Sequence, residues 1–279
     1  MSEAALGPRH SDVKRLRELL RDARARDAEQ TFVVEGPRAV AAALERGARL
    51  EHVYLGPNAD TAFAPLVEQL DRAGVARSTL KEGVLERVGS TVTPQPVLAI
   101  APKPTVELTA LARDGLVLVG ARLSDPGNVG ALLRSADAAG AAGIVLGTGS
   151  VDAYNPKVVR ASAGAIFGVP ILEGWSVMDA LQALREAGRT CLGTRAGDGT
   201  PYHQVDLTAP TAVVLGNEAH GLGADVADGL DRALDGWITI PMHGPTESLN
   251  VAMAGTVVCF EASRQRANQR HARTKQTPA

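Results

Sequence analysis

Hydrophobic residues recur along this chain with two different periods, and the alternation between them divides it in two. Val13, Leu16, Leu19, Leu20 and Ala23 keep the three- and four-residue spacing of a helix buried along one stripe, with Arg and Lys residues on its outer face. A strand at Phe32-Val33-Val34, a helix over 37–46, a strand over His52–Leu55, a helix over 61–73 and a strand over Val97–Ala101 follow, predicting a small α/β unit. Pro94, Pro96, Pro102 and Pro104 then stiffen the chain, and the domain boundary is placed near 105–113.

Beyond the prolines the pattern predicts strand 116–120, helix 129–139, strand 143–147, helices 156–166 and 176–187, and strands 189–194 and 211–216. A short helix near 224–230, strand 237–240 and a final helix from about 248 to 266 complete it. Strands that are apolar without a break, alternating with helices, predict a parallel sheet covered on both faces. The expected organisation is a first domain over 1–105, a linker over 106–113, a second domain over 114–270 and a basic flexible tail over 271–279. From Leu249 to Phe260 the final helix is apolar nearly all round, so one face needs a cover besides the sheet. A homodimer through this helix is the expectation.

At 279 residues with 45% hydrophobic residues, the chain has ample material for packed cores, and 29 Gly with 16 Pro suit a loop-rich α/β enzyme. No apolar run reaches the roughly 18 residues of a membrane span, and the first residues lack the basic-then-apolar layout of a secretory signal, so a cytoplasmic protein is expected. Cys191 and Cys259 sit in separate apolar runs and read as reduced, buried thiols, with no metal site expected. The net charge of −2 is unevenly spread: residues 9–26 hold Arg9, Lys14, Arg15, Arg17, Arg21, Arg24 and Arg26 against three acids. Such a cluster suits either a phosphate-binding footprint or a solvated helix face.

Familiar nucleotide signatures are missing. No phosphate-binding G-x-x-x-x-G-K-[ST] occurs, and Gly147-Thr148-Gly149 lacks the third glycine and the helix of a dinucleotide site. Three other stretches carry candidate chemistry: DPGNVGALLRS (125–135), VVLGNEAHGLG (213–223) and IPMHGPTESLNVAMAG (240–255). Each puts Gly or Pro and then a hydrogen-bonding side chain where a buried strand gives way to a loop or helix, the edge at which open α/β sheets bind ligands. Asn128 stands where a helix cap belongs, and it equally suits a ligand contact. Arg134 lies off the apolar stripe of its helix and reads either as a surface residue or as a planar cation for a phosphate or an emerging oxyanion. Glu218 follows a glycine at the end of a strand, where it serves as a cap, a proton acceptor or an orienting group for an arginine. Ser248 reads either as the cap of the last helix or as a ligand contact at a helix start, and Asn250 is expected to face a dry interior. His220 and His243 stand in loops, and a histidine there that meets the substrate would make activity depend on pH near neutrality.

The segments NVGALLRSADAAGA, VVLGNEAHGL and IPMHGPTESLNVAMAG resemble, in order and spacing, the three signature motifs of the SpoU (TrmH) family of RNA ribose 2′-O-methyltransferases, within the SPOUT superfamily. The likeness covers about residues 114–266, and residues 9–102 more loosely resemble the L30e-like RNA substrate-binding domain that precedes it in many members. It implies a methyltransferase domain with a C-terminal trefoil knot, S-adenosylmethionine as methyl donor, a homodimer, and ribosomal or transfer RNA as substrate, ribosomal RNA being preferred. It implies a catalytic group of Asn128, Arg134, Glu218, Ser248 and Asn250, and a donor site around Thr194, Leu215, Gly216, Ile240 and Leu249. RNA would meet Arg9, Lys14, Arg15 and Arg38. The competing reading is a non-catalytic RNA-binding or assembly protein that retains the fold.

Overall fold

A computed structural model of the chain describes residues 5–89, 93–112, 114–216, 229–230 and 232–276. Two compact units emerge, one made of Met1–Thr105 with Tyr154–Gly168, the other of Val106–Ala153 with Val169–Ala279.

The first unit begins with α1 (Ser11–Arg21) and α2 (Ala23–Glu29). The single helix expected here breaks at Asp22, whose extended backbone ends α1 while its carboxylate accepts a hydrogen bond from Arg24 N and caps α2. Arg26 therefore leaves the basic outer face: it is buried, and its guanidinium donates to the Leu19 carbonyl at 2.6 Å. Next come β1 (Thr31–Glu35), α3 (Pro37–Glu45), β2 (His52–Leu55), α4 (Ala59–Ala62), α5 (Ala64–Arg72), β3 (Arg77–Thr79), α6 (Leu85–Val88) and β4 (Val97–Pro102). The strands order as β1-β4-β2-β3, antiparallel except for the β2/β3 pair. The stripe of α1 lies in one core with Val33, Tyr54, Leu80, Leu98 and Ile100.

Residues 154–168, expected to be part of the second domain, pack into this first unit. Phe32 on β1 contacts the rings of Tyr154 and Phe167, with centroids 4.8 and 5.9 Å away. Glu35, its side chain 1% exposed, meets Arg160 at 2.5 Å. The helix expected over 156–166 stops early: α8 spans Pro156–Ser162, and Ala163 and Gly164 both turn left-handed (φ 50° and 92°) before a short 3-10 turn. Gly164 is required, because a Cβ there would lie 2.6 Å from the Ala42 side chain.

The second unit is a seven-stranded sheet in the order β7-β6-β5-β10-β8-β11-β9, with parallel pairing throughout its registers. Its strands are β5 (Leu116–Gly120), β6 (Gly143–Leu146), β7 (Ile171–Glu173), β8 (Thr190–Thr194), β9 (Thr200–Pro201), β10 (Thr211–Leu215) and β11 (Gly236–Thr239). Helices α7 (Pro126–Ala139), α9 (Val177–Glu186) and α10 (Val251–Gln276) cover it. Val117, Val119, Ala212 and Val214 face a core that includes Ala180, Leu181 and Leu184 of α9. Leu215, of opposite parity, faces Gly255 of α10. The predicted parallel sheet with two covered faces is thus present.

Edge strands β3, β7 and β9 escaped the sequence reading because they are only three, three and two residues long. The short helix expected near 224–230 lies almost wholly outside the described residues. Helix α10 runs ten residues past its predicted end at 266 and takes in residues 271–276 of the expected tail, whose last three residues lie outside the described residues.

At the amino ends of the strands, buried Arg189 at the entrance of β8 donates to the carbonyls of Gly115 (2.7 Å), Thr211 (3.3 Å) and Leu111. Burial, reinforced by the charge of Arg266, lowers its pKa. One guanidinium thus satisfies carbonyls before β5, at the start of β10 and in the 3-10 turn over Leu108–Ala112. The free thiols Cys191 and Cys259 are buried, and burial pushes them up to about 11 and about 12, so they stay protonated at neutral pH. Replacing Arg189 by Met is expected to lower stability by about 3 kcal/mol by stranding these carbonyls. Both tryptophans, Trp175 and Trp237, lie in this unit, so urea unfolding followed by their fluorescence measures the loss, and an unchanged midpoint refutes the clamp.

Candidate active site

Three strands of the large sheet end side by side around one cavity, of about 380 Å3. Thr194 and Arg195 come from the end of β8, Leu215 and Gly216 from β10, and Ile238, Thr239 and Ile240 from β11. Glu247, Ser248 and Leu249 precede α10, and Val251, Ala254 and Val258 on α10 itself close the wall. The walls are largely apolar, with a few polar groups converging, which is the usual composition of a small-molecule site. The Thr194 hydroxyl donates to the Val214 carbonyl at 2.8 Å, holding the ends of β8 and β10 together under the cavity.

All five residues expected around a donor, Thr194, Leu215, Gly216, Ile240 and Leu249, line this cavity, as does Ser248. Glu218 and His220 lie outside the described residues. Sequence reading passed over Arg195, Glu247 and Met242, which also line it. A usable signal existed for Arg195, which immediately follows a strand residue already singled out.

Two cap assignments are corrected. Helix α7 starts at Pro126, three residues earlier than expected, and its cap is Asp125, whose Oδ1 accepts from Asn128 N at 2.8 Å. Pro126 supplies the preset φ and needs no donor in the first turn, which moves the start forward. Asn128 is therefore inside the first turn and its side chain is released from capping. At α10 the cap is Asn250 and not Ser248: Asn250 Oδ1 accepts from Ala252 N (2.9 Å) and Met253 N (3.3 Å). Nor does Asn250 face a dry interior, for it is exposed. Because its oxygen is committed to the helix, its amide nitrogen points the other way and donates to Asn128 Oδ1 at 2.9 Å. That bond, between residues 122 apart in sequence, joins the first and third candidate stretches.

Arg134 is exposed on α7 and makes no ion pair or hydrogen bond among the described residues. On the same helix Ser135 Oγ lies 2.7 Å from Thr256 Oγ1, linking the middle of α7 to α10. Of the four cations expected to meet RNA, Arg9, Lys14 and Arg38 are exposed. Arg15 is held by Glu29 (2.6 Å) and Glu51 (3.0 Å), which makes it the least available of them. His243 is exposed. Among the described residues no cluster of His, Cys, Asp or Glu has a metal-binding arrangement, and no helix is long and apolar enough to cross a membrane.

A parallel sheet whose strand ends enclose a cavity under the first turn of the last helix defines a ligand-binding α/β domain, and comparison with known proteins specifies which kind. Residues 115–260 match the family model of the SpoU rRNA Methylase family, and residues 10–99 match that of the MRM3-like substrate binding domain. The chain belongs to the SpoU rRNA methylase family. It is 31% identical to the 23S rRNA (guanosine(2553)-2′-O)-methyltransferase RlmP of Bacillus subtilis, over 82% of this chain and 87% of that one. It is 32% identical to a 23S rRNA (uridine(2479)-2′-O)-methyltransferase of Streptomyces viridochromogenes, over 87% and 86% of the two chains. Among solved structures it resembles the SpoU methyltransferase AviRb of Streptomyces viridochromogenes in complex with AdoMet, with a TM-score of 0.79 at 30% identity over 93% of this chain and 99% of that one. An AdoMet-bound rRNA methyltransferase from Sinorhizobium meliloti aligns with a TM-score of 0.78 at 27% identity, over 95% and 97%.

Changing Asn250 to Ala removes a helix cap and the bond to Asn128 together, with an expected loss of about 1 kcal/mol. Asn250→Asp keeps an acceptor for the helix but cannot donate to Asn128. Thermal unfolding should therefore find the Asp variant close to the unaltered protein and the Ala variant lower; equal losses in both would show that the cap contributes little.

Proposed function

We propose that this chain transfers the methyl group of S-adenosylmethionine to a ribose 2′-hydroxyl of ribosomal RNA. The carrying observation is the cavity at the carboxyl ends of β8, β10 and β11, with Asn128 and Asn250 joined at the start of α10. Its volume of about 380 Å3 falls within the range of sites for molecules of this size, and Leu215, Ile238, Ile240 and Leu249 offer apolar walls to a purine. Further support comes from the AdoMet-bound structures it resembles and from relatives named for 2′-O-methylation of 23S rRNA. A donor held there by Thr194, Leu215, Gly216, Ile240 and Leu249 would supply a sulfonium-activated methyl group.

The chain's own residues position and stabilise. A guanidinium keeps its proton in proteins, so Arg134 acts as a fixed cation on the neighbouring phosphate and on the oxygen that becomes negative as the 2′-hydroxyl is deprotonated. Ser248 and the Asn128–Asn250 pair hold the ribose in line with the methyl group. Glu218, following Gly216 in the sequence, orients Arg134 or receives the proton. A non-catalytic assembly role is disfavoured because a polar residue stands at each of these five positions.

Homodimerisation through α10 belongs to the same proposal. Met253 and Phe260 are 62% and 48% exposed with half-buried Val257 between them, an apolar stripe one helix face wide. The return of α10 from β11 to pack on α7 and β5, past two intervening strands, suits a trefoil-knotted path. Arg9, Lys14 and Arg38 serve RNA capture in the substrate-binding unit, and the place of work is the bacterial cytoplasm, where the rRNA of such relatives is made.

Arg134→Ala should lower methyl transfer to ribosomal RNA by on the order of 100-fold or more, with donor affinity by calorimetry unchanged; full activity in that variant ends the assignment. Phe260→Asp should shift the protein from dimer to monomer in sedimentation velocity, and a monomer before substitution would refute the α10 interface.

A further inference from the structure

Among the described residues, the cavity wall carries two charged side chains, Arg195 and Glu247. Neither belongs to the catalytic group, and neither has been given a task. Arg195 is held in three ways. Its guanidinium lies over the Trp237 ring, 4.9 Å from the centroid. Its Nε donates to the Asp198 carbonyl at 2.6 Å, and its Nη2 meets the Asp198 carboxylate at 2.9 Å. The turn that brings Asp198 back needs Gly197 and Gly199, both at positive φ (77° and 147°). Together these contacts fix the guanidinium plane on one edge and one face, and leave Nη1 without a partner among the described residues. A cation held this way is pre-organised for a planar anion, because the rotamer entropy is lost before the ligand arrives.

The nucleoside half of the donor carries no formal charge, whereas its amino-acid half carries a carboxylate and an ammonium group. Resting on the donor assignment above, we infer that Arg195 and Glu247 form a charge pair that reads the amino-acid end of the methyl donor, Arg195 binding the carboxylate and Glu247 the ammonium group. The apolar walls then take the nucleoside, and the zwitterionic contacts set which way round it lies, fixing the direction in which the methyl group points.

The test titrates three uncharged-sulfur probes against the full-length protein by calorimetry: S-adenosylhomocysteine, its decarboxylated form, which keeps the ammonium group, and methylthioadenosine, which lacks both charges. Arg195→Met should weaken S-adenosylhomocysteine about tenfold while leaving the other two unchanged, the size expected for a charge-assisted hydrogen bond. Glu247→Gln should weaken both ammonium-bearing probes and spare methylthioadenosine, whose binding also reports that each variant is folded. Equal losses for all three probes, or no loss for any, would overturn the inference. If the unsubstituted protein binds none of them, the donor assignment itself fails.

Discussion

The close approach of α10 to α7 and to the end of β10 is the contact on which the site depends. It is set by Gly255: a Cβ at that position would collide with Leu132 on α7 and lie 2.9 Å from Leu215 on β10. With no side chain there, the helix settles against both, and the Ser135 and Thr256 hydroxyls come within 2.7 Å one turn away. The depth of that contact decides where the first turn of α10 stands. At this depth Asn250, which caps its own helix, also reaches Asn128, and the segment from Glu247 to Leu249 lies over the strand ends as a wall.

The two ends of the sheet do different work. At the amino ends Arg189 binds carbonyls from separate segments, and its burial makes that clamp expensive to break. At the carboxyl ends lies the cavity, and several polar side chains in it or beside it are held by neighbours. Thr194 is tied to β10, Arg195 to Asp198 and Trp237, and Asn250 to α10 and Asn128. Rigid placement of this kind is what a transfer reaction needs, because an in-line approach tolerates little misplacement.

Long apolar runs made the large sheet legible from the sequence. β5 and β10 are buried at every position, and such strands announce themselves by composition. The polar edge strand Arg77–Thr79 and the two-residue Thr200–Pro201 carry no such signal, because their pairing is decided by neighbours far away in sequence. Helix ends were misread for a related reason. Asp125 and Asn128 are equally good caps by residue type, as are Ser248 and Asn250, and the choice falls to whichever start lets the helix pack. The excursion of 154–168 into the first unit was hidden too, since its apolar residues suit either core.

The class of fold and the family could be read from the amino-acid order alone, because both are written in local periodicity and in residue types at fixed spacing. Tertiary structure alone decided that Asn128 and Asn250 bond to each other, that Arg26 is buried and Arg15 is held by acidic partners while Arg9 and Lys14 stay exposed, and that Arg195 and Glu247 reach the cavity. The physical reason is common to all of them: a side chain's partner is fixed by how closely helices and strands from distant parts of the chain can pack, and no local spacing encodes that distance.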